Sequence, residues 1–464
     1  MRRLALLVLL AGCTLGPDWK TPDAPTPTGL ANQGGVTAIS SDEPWQRWWE
    51  VFRDPVLDKL VADARESNQR LKAAYAHIRV ERALLIQARG PLLPTISLDG
   101  EYTYEKISRN TAGFPVGGGV KPFIPSDFFQ GTADLSWELD LFGRIRRGLE
   151  SSEDEAAASI EDRRAFEVSL VADVADAYFD LGEAEAAIAL ASEIVTTRER
   201  SLGLVKDRLA AGVAQELELR RAEGELESAR AAVPDGERRR ALAEHRLAVL
   251  LGKAPDVHFG GKPPATFALP PTIPVGLPAT LLQRRPDVRA TEARAASQNA
   301  LAGQAIASFF PRMTLLGQFG YASLDAGKLA YFGSQLFSIG PSVHVPIFEG
   351  GVTYALLLEK EARRDEAVAV YRDTILTAFR EVADAVSSLH AHEDVRDRQA
   401  RAVAAADRAL ELAEVQYKEG LTSYVTVLDT QRSQIQAKDA LLAAQRDVLR
   451  DIVSLEKALA GGWE

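Results

Sequence analysis

The sequence predicts a mainly helical chain with a smaller β part, in which one unit occurs twice: a strand hairpin, then a hairpin of long helices. Three observations carry this. None of the 23 prolines falls between 126 and 233 or after 346, and both windows are charged, alanine-rich and periodic. Residues recur at fixed offsets, Gly212 with Gly420 and Leu217 with Val425 at 208, Pro94 with Pro311 and Leu71 with Val288 at 217. Four stretches of about ten residues alternate apolar with polar side chains, the period of a strand with one wet face. Recurrence at a fixed offset marks a tandem duplication. The change of offset is absorbed near Gly117-Gly118-Gly119, which lengthens the first copy.

Composition narrows the class. The chain has 464 residues, one cysteine and a formal charge of −11, with 26% charged and 46% hydrophobic residues. One cysteine excludes a disulfide framework and any multi-cysteine metal site. The acidic balance argues against nucleic acid as a partner. No apolar run reaches 18 residues, so no transmembrane helix is expected, and a membrane crossing requires a β-barrel.

Along the chain, residues 1–12 read as a signal peptide: Met1-Arg2-Arg3, then apolar Leu4 to Leu10. Leu10-Ala11-Gly12-Cys13 reads as a lipidation box, with the Cys13 thiol carrying diacylglycerol and becoming the first mature residue. Thr14 follows, not the aspartate of inner-membrane retention. Residues 13–50 form a lipid-anchored tail, rich in Pro, Thr, Gly and Ser as far as residue 44. Trp45, Trp48, Trp49 and Phe52 then read as a packed lead into the first helix. Repeat 1 spans 51–265, with strands near 94–106 and 131–142 and long helices over 144–251. A proline-rich linker covers 266–279. Repeat 2 spans 280–464, with strands near 311–323 and 334–348 and long helices over 350–460.

On the strands, Ile96, Leu98, Tyr102 and Tyr104 share one face, as do Ala133, Leu135, Trp137, Leu139 and Leu141. In the second copy Met313, Leu315, Phe319 and Tyr321 form one apolar face, and Phe337, Ile339, Val343, Val345 and Ile347 another. The opposite faces carry Asp99, Glu101, Asp134, Glu138 and Asp140, opposed on the strands mainly by Arg312. Apolar-out, acidic-in suits lipid on one side and a water-filled lumen on the other; a soluble sheet with one wet face shares the alternation. Four strands cannot close a barrel, and an open edge in lipid leaves backbone groups unsatisfied, so the wall is assembled between chains. Two chains give eight strands and three give twelve, and the pattern does not choose.

In the helical windows, Leu428, Ile435, Leu442 and Leu449 recur every seventh residue, extended by Ile452, Leu455 and Leu459. Gly212 and Gly420 mark the turns at 211–212 and 419–423, with Ser423 as an N-cap. Pro234 has no counterpart and is expected to kink or break its helix. Enzyme signals are missing from the sequence: the six histidines are scattered, and no metalloprotease, nucleophile-elbow or phosphate-loop pattern occurs. No catalytic, metal or cofactor residue is therefore assigned beyond the lipid on Cys13.

Taken together, Gly16-Pro17-Asp18-Trp19, Asp54-Pro55-Val56-Leu57, Arg284-Arg285-Pro286-Asp287-Val288-Arg289, Phe310-Pro311, Pro346-Ile347-Phe348, Val427-Leu428-Asp429 and the C-terminal Ala458 to Trp463 resemble the TolC/OprM-like outer membrane efflux protein family, in its lipoprotein (NodT-type) branch. The resemblance implies a homotrimer with a twelve-stranded outer-membrane barrel continuing into a periplasmic α-helical barrel. It implies a periplasmic adaptor and an inner-membrane pump of the resistance-nodulation-division class as partners, and passive export of drugs, metals or other small solutes. Alternatives are a type I protein-secretion channel, or a periplasmic coiled-coil lipoprotein without a pore. The resemblance also places the turns at a periplasmic tip, with Asp429, roughly 9 Å along the axis, at the gate. Thr426 and Thr422 stand where members carry a second aspartate and a tethering arginine, and Tyr417 adds a ring near the gate.

Overall fold

The computed structural model describes residues 14–23, 47–106, 126–269 and 284–460. Cys13, Trp45, the 117–119 glycines and residues 461–464 lie outside them. The main elements are α1 (Pro55–Ser67), α2 (Gln69–Arg89), β1 (Thr95–Glu105), β2 (Ser126–Leu139), α3 (Arg144–Ala210), α4 (Glu216–Leu250), α5 (Pro286–Ala307), β3 (Arg312–Ser323), β4 (Gln335–His344), α6 (Val352–Lys418) and α7 (Tyr424–Ala458). Contacts divide the chain into two compact units. One comprises Met1–Pro22, Ile78–Ala158 and Thr291–Val370; the other comprises Asp23–His77, Ser159–Ala290 and Tyr371–Glu464.

The first unit holds one four-stranded sheet in the order β1-β2-β3-β4, every pair antiparallel. The second strand of the first copy therefore pairs with the first strand of the second, and among the described residues β1 and β4 each keep one edge unpaired. The register aligns the apolar sets: Leu98 faces Ala133, which faces Phe319, which faces Phe337. Leu98 is 86% exposed and Phe337 70% exposed, so this apolar face is uncovered in the single chain. β2 begins at Ser126, before the expected 131, because Ser126–Gln130 complete the pairing with Glu101–Glu105. β4 stops at His344, short of the expected 348, where Pro346 has no N–H for a ladder. Gly320 is required by a close approach, since a Cβ there would stand 2.1 Å from the Gly131 carbonyl oxygen on β2.

Residues 15–18 belong to the same unit. Arg147 donates to the carbonyls of Leu15 and Gly16, both at 3.0 Å, and to Asp18 at 2.9 Å. Asn299 donates to the Pro17 carbonyl at 2.8 Å.

The helical elements repeat in length: α3 and α6 have 67 residues each, about 100 Å of helix, and α4 and α7 have 35 each. Both turns close in the same way. Gly212 and Gly420 share φ +73. Val213 N–H donates to the Arg208 carbonyl and Leu421 N–H to the Gln416 carbonyl. Left-handed glycine is the common solution at a helix C-terminus. Ser423 holds the N-cap position of α7 without capping it by side chain; its Oγ lies 3.4 Å from the Thr426 hydroxyl. α4 runs through Pro234 without a break, contrary to expectation. Nearby, Gly236 packs so closely on Ile188 of α3 that a Cβ would come within 2.7 Å of its Cγ1. Tertiary packing of this kind outweighs the roughly 3 kcal/mol a helix-interior proline costs.

The core of the second unit gathers Trp48, Trp49, Phe52, Leu57, Phe179, Phe267, Leu449 and Leu455. Phe52 and Phe267 each set a ring 5.0 Å from Phe179, edge-on. Asp54 caps α1 by accepting from Val56 N–H at 2.8 Å, and Pro55 occupies the first helical position. The seventh-residue stripe is only partly core: Leu428, Leu449, Ile452 and Leu455 are buried, whereas Ile435 and Leu442 are half-buried.

Candidate functional site

The residues singled out in the sequence fall in two regions, the polar face of the sheet and the turns of the helix hairpins. On the sheet, alternation delivers Asp99 and Glu101 of β1 and Asp134 and Glu138 of β2 to one side. Asp99 and Glu101 are exposed and accept from neighbouring hydroxyls, Ser97 at 2.8 Å and Thr103 at 2.9 Å. Asp134 accepts from Thr132 at 2.7 Å and from the Gln318 amide at 2.9 Å, which ties β2 to β3 across the copies. Glu138 and Asp140 stand apart from this set. Arg144 meets Glu138 with two hydrogen bonds at 2.8 and 3.1 Å, and Arg146 lies 3.3 Å from Asp140. Arginines of the first α3 turn, off the strands, thus pair with Glu138 and Asp140, and they add to Arg312, the main opposing charge expected on the strands.

At the hairpin turns, Asp429 sits in the second turn of α7 with its side chain 66% exposed and the Arg432 guanidinium 3.8 Å away. Thr422 and Thr426 hydroxyls bond to each other at 3.0 Å, a neutral contact. Tyr417 lies inside the turn region, only 4% exposed, within a small core with Val205, Leu410, Tyr424, Val427 and Leu428. Its hydroxyl donates to Glu218 of α4 at 3.2 Å. Arg208 of α3 stacks 4.6 Å from its ring centre and donates to its carbonyl at 3.3 Å. Burial, with Glu218 nearby, pushes the Tyr417 hydroxyl up to about 12. The ring therefore ties α6 to α3 and α4 and is not itself a surface group of the chain.

Arg208 and Glu218 escaped the sequence reading. A signal for Glu218 existed: it stands 208 positions before Thr426, so the first copy holds a carboxylate where the second holds a hydroxyl. Nothing local marks Arg208, whose partner is 209 residues away. Among the described residues no helix is long and apolar enough to cross a membrane, and no group of three His, Cys, Asp or Glu could hold a metal ion.

Comparison with known proteins agrees with this geometry. A model of the family described as outer membrane efflux protein matches residues 60–253 and 277–461, one segment in each copy. The solvent efflux pump outer membrane protein SrpC of Pseudomonas putida is 35% identical over 463 residues, covering 98% of this chain and 97% of SrpC. Outer membrane protein OprJ of Pseudomonas aeruginosa is 33% identical over 471 residues, covering 99% and 95%. Among solved structures, the outer-membrane channel OprN aligns with a TM-score of 0.89 at 32% identity over 97% of this chain and 100% of OprN. The open-state outer membrane channel MtrE of Neisseria gonorrhoeae aligns with a TM-score of 0.85 at 31% identity over 97% and 98%. A duplicated helical chain whose sheet is apolar on one face and acidic on the other, matched along nearly its whole length by such channels, belongs to the outer membrane efflux protein family: it is an outer-membrane channel component of an efflux system and not an enzyme.

Proposed function

We propose that three copies of this chain close a twelve-stranded barrel in the outer membrane, anchored by lipid at Cys13, and that their helices form a periplasmic duct. An adaptor and an inner-membrane pump, of the resistance-nodulation-division class, feed small solutes such as drugs, solvents or metals into it. The observation that carries this reading is the open sheet, with an uncovered apolar face, an acidic opposite face, and a free edge on β1 and on β4. In lipid such edges are satisfied only by neighbouring chains. The same sheet disfavours a pore-free lipoprotein, which has no use for a lipid-facing wall. A protein-secretion channel shares the wall, and the name of SrpC, a solvent efflux pump component, favours small solutes.

In this reading the turns at Gly212 and Gly420 form the periplasmic tip. Asp429, three times repeated, lines its constriction and favours cations, while Asp99, Glu101 and Asp134 line the barrel. Tyr417, with Arg208 and Glu218, holds the tip closed from within the chain. The test is the purified lipidated protein in planar bilayers. Wild type is expected to form cation-preferring channels, and Asp429→Ala to raise conductance and weaken that preference. Unchanged conductance and selectivity would remove Asp429 from the gate; bilayers that stay sealed with wild type would remove the pore.

A further inference from the structure

At the end of the sheet where β2 runs on toward α3 and β3 begins, the flanking segments are rich in arginine, and these arginines have carboxylate partners. Arg89 pairs with Glu153 at 3.2 Å, Arg144 with Glu138 at 2.8 Å, Arg146 with Asp140 at 3.3 Å, and Arg147 with Asp18 at 2.9 Å. Arg312, the first residue of β3, differs. It is exposed and makes no ion pair or hydrogen bond with another described residue. Directly opposite it in the register stands His344, the last residue of β4, exposed and equally without a partner among the described residues. Facing residues of an antiparallel pair hold their Cβ atoms roughly 4.5–5.5 Å apart, within reach of one small group.

Both residues belong to the polar face. Period-two alternation puts Arg312 on the side of Thr314 and Gln318, and His344 on the side of Ser342 and Ser338. The register sorts this face into rows by charge. Asp134 lies in the row of Ser97, Gln318 and Ser338, and Asp99 and Glu101 fall in the next two rows, farther from the helices. Arg312 and His344 hold the row at the opposite end, six residues before Gln318 along β3, or roughly 20 Å. Glu138 lies between, in the row of Thr314 and Ser342, but Arg144 already takes both its oxygens. The face is thus bipolar. Carboxylates without a cationic partner among the described residues occupy one end, and a guanidinium without an anionic one occupies the other.

We propose that Arg312 and His344 form an oxyanion-binding position at the helix-proximal end of the polar face, taking the carboxylate or phosphate group of a small solute. A guanidinium keeps its charge at every working pH, and its planar fork meets two oxygens of such a group at once. The imidazole opposite supplies a further N–H donor. Two basic groups that face each other with no acid between them are held best by an anion shared by both. The inference rests on the reading of this face as the lumen of the duct and adds an anion position to it. In a trimer the pair recurs three times, in one ring where the barrel passes into the helices.

The test uses the full chain in detergent, with inorganic phosphate as the probe. Phenylglyoxal modifies accessible guanidinium groups, and mass spectrometry of the digested protein reads each arginine separately. Arg312 of the wild type is expected to react readily, and saturating phosphate to slow it about threefold or more. Arg221, exposed and also unpaired among the described residues, should keep its rate. His344→Val should leave the phosphate-free rate of Arg312 unchanged and weaken the protection, which a purely structural histidine would not do. Equal slowing at Arg312 and Arg221 is salt screening and overturns the proposal. An Arg312 that does not react is occupied by a carboxylate of a neighbouring copy, and overturns it too. In planar bilayers at low salt, phosphate should lower the wild-type conductance, and Arg312→Gln should abolish that block and strengthen cation preference. Protection of Arg312 with no effect of phosphate on conductance leaves the anion position standing and removes the lumen reading. Cation-preferring channels without protection of Arg312 do the reverse.

Discussion

The two copies have the same skeleton and different chemistry. An offset of 208 carries Arg144 to Val352, Ala210 to Lys418, Glu216 to Tyr424 and Leu250 to Ala458, so every long-helix boundary repeats. The positive-φ positions repeat too: Gly143 with Gly351, Gly212 with Gly420, and Gly252 with Ala460. Side chains at matched positions diverge. Phe179, in the core, matches exposed Ser387; Arg208 matches Gln416; Leu209 matches Tyr417; Glu218 matches Thr426; and Arg221 matches Asp429. The backbone design is thus shared, and the turn region is a joint product: the second copy supplies Tyr417, and the first supplies Arg208 and Glu218, the charges that hold it. A duplicated chain can divide labour in this way because backbone turns tolerate few residues, whereas positions around them tolerate many.

Matched substitutions test the division. The largest contrast is expected at Phe179 and Ser387. Phe179→Ala removes a ring shared by Phe52, Tyr178 and Phe267 and should cost about 3–5 kcal/mol, while Ser387→Ala should stay within about 0.5 kcal/mol. Denaturant unfolding of the detergent-solubilised protein reads both, and equal losses would refute the asymmetry of the core. The turn glycines should instead behave alike. No atom lies within 4 Å of a Cβ built at Gly212 or Gly420, so Gly→Ala at either meets only the left-handed backbone penalty, about 1–2 kcal/mol. Unequal costs would show that the turns are not equivalent.

A third contrast depends on pH. Burial pushes the Asp176 carboxyl up to about 6, and its Oδ1 has no hydrogen-bond partner. The folded state therefore holds that proton more tightly than the unfolded chain does. Asp176 then costs nothing below the unfolded value near 3.8 and destabilises progressively as pH rises through about 6. Asp176→Asn should raise stability by about 1 kcal/mol at pH 7.5, with the gain gone near pH 3.5. A gain that is independent of pH would contradict the assignment. The matched Asp384 is exposed, and Asp384→Asn should do little at any pH. The smallest contrast is at Arg221, the first copy's counterpart of Asp429: Arg221→Ala should leave channel selectivity near wild type, and a shift as large as that of Asp429→Ala would place both copies at the constriction.

Much of this was legible in the sequence for identifiable reasons. Strand faces were readable because period-two alternation is local, and the register kept each apolar set together. The helix turns were readable because only glycine sits easily at φ +73. Long-range pairing was not: Arg198 reaches Gln431 and Arg208 reaches Tyr417 across more than 200 residues, and a charged residue on an exposed-looking helix reads as solvated. Pro234 misled because local propensity points to a break, whereas packing of Gly236 on Ile188 decides the outcome. The arginine partners of Glu138 and Asp140 were not legible either, because Arg144 and Arg146 meet them only once the chain turns back after β2.

Native mass spectrometry of the detergent-extracted protein addresses the whole architecture most directly, since a sheet with two free edges demands neighbours. Three chains per particle is the result expected of a twelve-stranded wall; a stable single chain, or a pair, would contradict it.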